Sequence, residues 1–305
     1  MFAVIFSALL ITATFTDLQV SRILTKGTLM PGSYLAVGLF GVLFECIGCA
    51  PPYLVGIISL EIVFVYTVRF MKSGRAKVLV ESLLQIACAV AYYVLVLDVF
   101  DYNFRHYRLE GDKPTFMRAE LIFLALLLTV LTALAVNNLP DEIVKKFPRF
   151  AYAVALAIIF STLFVTIIKE PFGRVRYRAM NYAGDFSYYT RWYVLSGQPD
   201  KEWMKETFSS SDACRSFPSG HTQSTAMIFC IVMLRELFDI KSKKITAVLW
   251  TVSIVWTACV ALSRIMVGAH FFSDVLMGGT IGFLSVIIAR EIFVYKGAHI
   301  KVLKS

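Results

Sequence analysis

Charged residues are scarce in this chain: Asp, Glu, Lys and Arg make up only 17% of its 305 residues, against 58% hydrophobic ones. That is too little charge to clothe a soluble domain of this length, and a mean hydropathy of +0.69 points the same way. Histidine is scarcer still, with four residues, so any imidazole chemistry must rest on very few side chains. Carboxylate groupings of the magnesium or two-metal type are missing, and no metal or other cofactor is expected. The first apolar run has no basic n-region and no small-residue cleavage site, and Asp17 follows it directly, which sets aside a secretory signal. No internal repeat or low-complexity segment is found.

What the chain does have is long apolar runs. A hydrocarbon core needs about 20 apolar helical residues per crossing, and nine candidate runs lie near 2 to 16, 31 to 49, 52 to 69, 77 to 97, 119 to 137, 150 to 168, 222 to 238, 245 to 262 and 271 to 289. The expected fold is therefore all-α and integral to the membrane. Every second loop is basic: Arg69, Lys72, Arg75 and Lys77; Lys145, Lys146 and Arg149; Lys241, Lys243 and Lys244; Arg290, Lys296, Lys301 and Lys304, with the weaker pair Arg22 and Lys26. By the positive-inside rule these loops face the cytoplasm, which puts the N-terminus outside and the C-terminus inside a multi-pass cell (inner) membrane protein. The same asymmetry accounts for most of the net charge of +9, and no nucleic-acid partner is needed to explain it.

Two outward segments are rich in polar groups. Residues 98–118 carry mixed charge, with His106 among them. Residues 169–221 form the longest non-apolar stretch, whose Tyr188, Tyr189, Trp192, Tyr193 and Trp203 read as an aromatic belt at headgroup depth. Cys46-x-x-Cys49 sits at an outward loop, where the spacing alone says little about redox pairing.

The chemistry concentrates in three clusters on the outward side. SRIMVGAHFFSD, residues 263–274, places Arg264, His270 and Asp274 between two apolar runs. If residues 270–274 begin the last span, Asp274 lies one turn from the His270 ring; a carboxylate at one imidazole nitrogen leaves the other unprotonated and nucleophilic. Arg264 adds a planar cation suited to phosphate oxygens. Pro218-Ser219-Gly220-His221 opens the seventh run, where free backbone N–H groups favour an anion and a histidine is placed to donate a proton to a leaving group. Lys169 and Arg176 add two further positive charges.

Lys169-x6-Arg176, then Pro218-Ser219-Gly220-His221, then Ser263-Arg264-x5-His270-x3-Asp274 resembles the tripartite signature of the type 2 phosphatidic acid phosphatase superfamily. The second and third motifs match fully; the first has Tyr177 where the family usually has proline. The resemblance implies that His270 attacks phosphorus to form a phosphohistidine with Asp274 orienting it. It also implies that His221 protonates the leaving oxygen and then activates water, and that Lys169, Arg176, Ser219, Gly220 and Arg264 hold the phosphoryl oxygens. It implies a six-span core, here residues 77–305, preceded by a three-span extension, residues 1–76. Pro171, Gly173 and Arg174 are expected to shape and tune the first motif.

The expected activity is metal-independent hydrolysis of a lipid phosphomonoester or diphosphate, polyprenyl diphosphate being favoured slightly over a glycerophospholipid phosphate. A lipid phosphotransferase using the same phosphoenzyme and a non-catalytic lipid-binding relative are the alternatives. The oligomeric state is not readable. Three acidic residues in the extension stand apart. TATFTDLQVSRIL, with Asp17, weakly resembles a prepilin-peptidase-like aspartyl protease segment, but MKSGRAKVLV lacks the partner aspartate such a dyad needs. Glu45 falls near the outer interface, and Glu61 is expected to pair between spans.

Overall fold

The computed structural model describes residues 2–106 and 115–295, with side chains except at 102–106 and 115–117. The side chain of His106, residues 107–114 of the first outward segment, and the tail with Lys296, His299, Lys301 and Lys304 lie outside the described residues.

The fold is all-α, with no strand among the described residues. Three helices, α1 (Phe2–Leu24), α2 (Leu39–Ile47) and α3 (Ala50–Phe70), precede α4 (Arg75–His106), α5 (Thr115–Asn137) and α6 (Asp141–Phe172). The stretch between α6 and α9 holds two short helices, α7 (Tyr177–Ala183) and α8 (Lys201–Phe208). Then come α9 (Gly220–Ala226), a 3₁₀ stretch over Met227–Met233, α10 (Leu234–Leu237), α11 (Lys243–Met266) and α12 (Phe272–Arg290).

Seven segments are long and apolar enough to cross a membrane, where the sequence suggested nine. Two runs account for the difference. Residues 31–38, with Pro31, Gly32 and Gly38, stay outside any helix, so α2 is short and Leu39–Phe70 counts as one crossing length. The run 222–238 carries Thr222, Gln223, Ser224 and Thr225, and is divided into α9, the 3₁₀ stretch and α10.

The chain divides into two compact units. One comprises Cys49–Ala157, Ile228–Ser253 and Val286–Ser305. In it α3, α4 and α5 pack around Ile57, Tyr92, Leu95 and Ala125. Glu61 on α3, fully buried, accepts from Gln85 Nε2 on α4 at 3.3 Å. Arg69 closes this unit by pairing with Asp141 at 2.7 Å while donating to the carbonyls of Leu139 and Asn137.

The other unit comprises Met1–Gly48, Ile158–Met227 and Ile254–Ser285 and holds every candidate site residue. One of its cores gathers Leu29, Val175, Tyr177, Met180, Phe208 and Phe271. The aromatic residues between α6 and α9 pack on one another: Trp203 lies edge-on to Phe208 at 5.5 Å, and Trp192 stacks on Phe217 at 6.0 Å while donating to Thr14 Oγ1 at 2.9 Å. The start of α1 meets the middle of α12 through Phe2 and Phe283, whose ring centroids are 5.2 Å apart. Its other end meets the first turn of α12 through Asp17 and Ser273, so α1 and α12 run antiparallel.

Candidate active site

The site begins where α11 ends. Arg264 lies in the last turn of α11, and its carbonyl accepts from the backbone N–H of Ala269 at 3.0 Å and of His270 at 3.2 Å. Closing that turn requires a positive φ, +65° at Gly268, which only glycine adopts at little cost. His270 emerges from this turn ahead of α12, fully enclosed at 1% exposure.

Its ring is oriented by the main chain. His270 Nδ1 lies 2.6 Å from the carbonyl oxygen of Ser216. A carbonyl only accepts, so Nδ1 carries the proton and Nε2 keeps its lone pair. Nε2 faces Arg176 Nη1 at 3.4 Å. Burial, followed by the charges of Arg176 and Arg264, pushes the ring's pKa down to about 3 and keeps it neutral.

Asp274 is placed differently from the sequence expectation. Because α12 begins at Phe272, His270 precedes the helix, and Asp274 Oδ2 stands 3.8 Å from Nδ1, beyond hydrogen-bond range. That oxygen accepts instead from Phe271 N–H at 2.8 Å and Ser216 Oγ at 2.5 Å. Oδ1 accepts from Arg174 Nη1 at 2.5 Å. Asp274 therefore organises the segment that supplies the Ser216 carbonyl, and acts on the ring through it.

The second motif folds against the third. Ser219 caps α9, its Oγ accepting from Thr222 N–H at 3.3 Å, and its own N–H donates to the Asp274 carbonyl at 3.0 Å. Gly278 on α12 makes this approach possible, since a Cβ there would collide with the Ser219 carbonyl. Gly220 faces the first motif: a Cβ on it would lie 3.5 Å from Lys169 Nζ. His221 follows, held neutral by burial and then by the charge of Arg264.

In the first motif, Lys169 ends α6 and Arg176 caps α7. Arg176 donates through Nε to the Asp212 carbonyl at 3.0 Å, through Nη1 to the Ala269 carbonyl at 3.1 Å, and through Nη2 to the Asp212 carboxylate at 3.1 Å. The same guanidinium, ahead of burial, holds the Asp212 carboxyl well below the usual carboxylate range. Tyr177 occupies the first helical position, where proline would also fit, and packs its ring on Phe186 at 5.4 Å.

Arg264 Nη1 forms a 2.8 Å ion pair with Glu45, yet neither Nη1 nor Nε meets a well-directed hydrogen-bond acceptor among the described residues. The buried Nε–H of this planar cation thus remains for an anion, while Nη1 faces Glu45.

Several participants carry no motif. Arg174, 1% exposed, bridges Asp17 at 2.9 Å and Asp274 at 2.5 Å, also donates to Ser273 Oγ, and lies 4.1 Å from the centre of the Phe271 ring. Asp17 accepts from the Ser273 N–H at 2.8 Å. Glu45, Ser216 and Asp212 complete the set. The signal available in the sequence was the presence of Asp17 and Glu45 in apolar surroundings, which announces partners without naming them. Among the described residues no group of three or more His, Cys, Asp or Glu is arranged to hold a metal ion.

No solved structure matches the chain. Residues 150–298, which carry all three motifs, match the family model of the PAP2 superfamily.

Proposed function

We propose that this protein is a membrane phosphatase that hydrolyses a lipid phosphomonoester or diphosphate through a phosphohistidine. The observation that carries the reading is the state of His270: buried, protonated at Nδ1 by its bond to the Ser216 carbonyl, and with the Nε2 lone pair beside Arg176. Nε2 attacks phosphorus and the bond to the lipid oxygen breaks, that oxygen leaving with a proton from His221. Water then attacks the phosphohistidine, gives its proton to His221, and the P–N bond breaks to release phosphate. Lys169, Arg176 and Arg264, with the Ser219 hydroxyl and the Gly220 N–H, meet the charge that collects on the equatorial oxygens. Burial, and then the charge of Arg264, hold His221 neutral at rest, and a bound phosphate dianion opposes both, raising its affinity for the proton it must deliver.

The site is assigned to the outer face of the cell membrane, opposite the basic loops at Arg69–Lys77 and Lys241–Lys244. On this assignment the N-terminus moves to the cytoplasmic side, replacing the outside position expected from the sequence. The end of α1, not its start, meets the site, and Leu39–Phe70 replaces two expected crossings by one. Arg22 and Lys26 then lie on the outer side, a pair of charges too small to override the larger basic loops. The partners are a lipid phosphate and the bilayer, and recycling of an outward-facing polyprenyl diphosphate suits this location.

The test is phosphate release by the purified protein from a panel of detergent-dispersed lipid phosphates in EDTA, beside His270→Ala. Release that survives the chelator and disappears in the variant is expected. Product formed only with an added acceptor alcohol would make the protein a phosphotransferase instead, and lipid binding without turnover would make it a carrier.

A further inference from the structure

The family match begins at residue 150, yet polar side chains from residues 2–48 reach the same arginines. Glu45, on α2 and 3% exposed, lies 2.8 Å from Arg264 Nη1 and 3.5 Å from Arg178 Nη1. Tyr34, between α1 and α2, donates to Asp212 Oδ1 at 3.1 Å, and Asp212 pairs with Arg176. The segment is tied in beside these contacts: Thr28 Oγ1 donates to the Met266 carbonyl at 2.7 Å, and Asn181 Nδ2 to the carbonyls of Met30 and Ser33 at 2.8 and 2.9 Å.

Burying Arg176, Arg178 and Arg264 together without counter-charge would be costly, and would also hold phosphate too well. An enzyme that binds ground state and product as tightly as the transition state lowers KM without raising kcat. Glu45 opposes both problems at Arg264. Asp212 does so at Arg176, and the strength of its hold is tempered by the hydroxyl that Tyr34 donates to it.

We propose that residues 2–48 are a working part of the phosphate site, in which Glu45 and Tyr34 are positioning residues that set how tightly Arg264 and Arg176 hold phosphate. The inference rests on the phosphate-handling reading of the site. Glu45 acts directly on Arg264, and Tyr34 acts on Arg176 through Asp212.

Binding of inorganic phosphate to the detergent-purified full chain tests it, with kcat and KM for phosphate release measured alongside. Glu45→Gln keeps the shape and an acceptor oxygen and removes one charge; phosphate should bind about tenfold tighter, with KM and kcat both lowered. Glu45→Asp restores the charge and should return the affinity toward that of the unaltered protein. Tyr34→Phe keeps the ring that lies 4.7 Å from the Arg178 guanidinium and removes only the hydroxyl. Asp212 then competes better for Arg176, and phosphate should bind about threefold more weakly. A merely structural role would not move the two variants in opposite directions. Affinities within twofold of the unaltered protein in both, or shifted in the same direction, overturn the proposal. Should Glu45→Gln not fold, the affinity of Tyr34→Phe decides by the same measure. A protein that releases phosphate from no lipid while these ratios appear would lose the phosphatase reading and keep this one; a protein that binds no phosphate at all loses both.

Discussion

Gly278→Ala should disable the site from a position that touches no substrate. A Cβ at residue 278 would fall on the Ser219 carbonyl, far inside contact distance, with the Ser219 carbonyl carbon at 3.1 Å and nitrogen at 3.2 Å close behind. Backbone atoms cannot swing aside as a side chain does, so α12 and the Ser219–Gly220 turn must part by about 1 Å. Alanine gains roughly 1 kcal/mol of helix propensity over glycine, while overpacking costs about 1–3 kcal/mol, so the net effect on stability is a loss of about 0–2 kcal/mol. The effect on catalysis is larger. The Ser219 N–H to Asp274 carbonyl bond of 3.0 Å joins the second motif to the third, and misplacing catalytic groups by about 1 Å costs on the order of a hundredfold in rate. The neighbouring glycine supplies the control, since a Cβ at Gly279 meets only Thr222 Cγ2, at 3.4 Å. The assay is kcat for phosphate release, with thermal unfolding in detergent, for Gly278→Ala and Gly279→Ala side by side. Gly279→Ala should keep activity within about threefold. A Gly278→Ala protein with full activity and an unchanged melting temperature would refute the packing argument.

Arg174→Met should be among the most destabilising single changes, because it leaves Asp17 and Asp274 buried without their shared guanidinium; about 3–5 kcal/mol is expected, read as a fall in melting temperature. Ser216→Ala removes the hydroxyl bonded to Asp274 but keeps the carbonyl on His270, so kcat should fall roughly tenfold without being abolished. Stability should also depend on pH through His270. Its pKa is about 3 in the fold against an ordinary 6.5, so the unfolded chain binds a proton that the folded protein refuses. That contribution is intact above pH 6.5 and is lost as pH falls toward 3. Melting curves collected across this window should show a shallower decline for His270→Asn.

Much of the candidate site was legible because its residues fall in short, ordered motifs. Lys169, Arg176, Ser219, Gly220, His221, Arg264, His270 and Asp274 all fall in one compact unit. The helix-ladder argument for His270 and Asp274 placed them near each other but misjudged the contact, because the boundary of α12 falls two residues later than assumed. Arg174 was read as a tuning residue of the first motif, whereas its carboxylate partners lie 100 and 157 residues away. No periodicity encodes such a pairing. Asp17 and Glu45 were conspicuous as acids in an apolar setting, but hydrophobic patterning tells only that a buried acid needs a partner. The count of candidate crossings differs for a related reason: Pro31, Gly32 and Gly38 interrupt a run whose composition alone resembles a span, and Leu39–Phe70 is the stretch long and apolar enough to cross.

The pairing of Asp17 with Arg174 also constrains how the protein is made. Asp17 leaves the ribosome with the first helix, and 157 further residues must follow before its partner arrives. At ordinary elongation rates that interval is roughly 10 to 30 s. During it, α1 has neither Arg174 nor Ser273 to settle against, so its insertion and its final docking are separate events in time. Asp17, the earliest synthesised member of this cluster, is therefore among the last to find its partners.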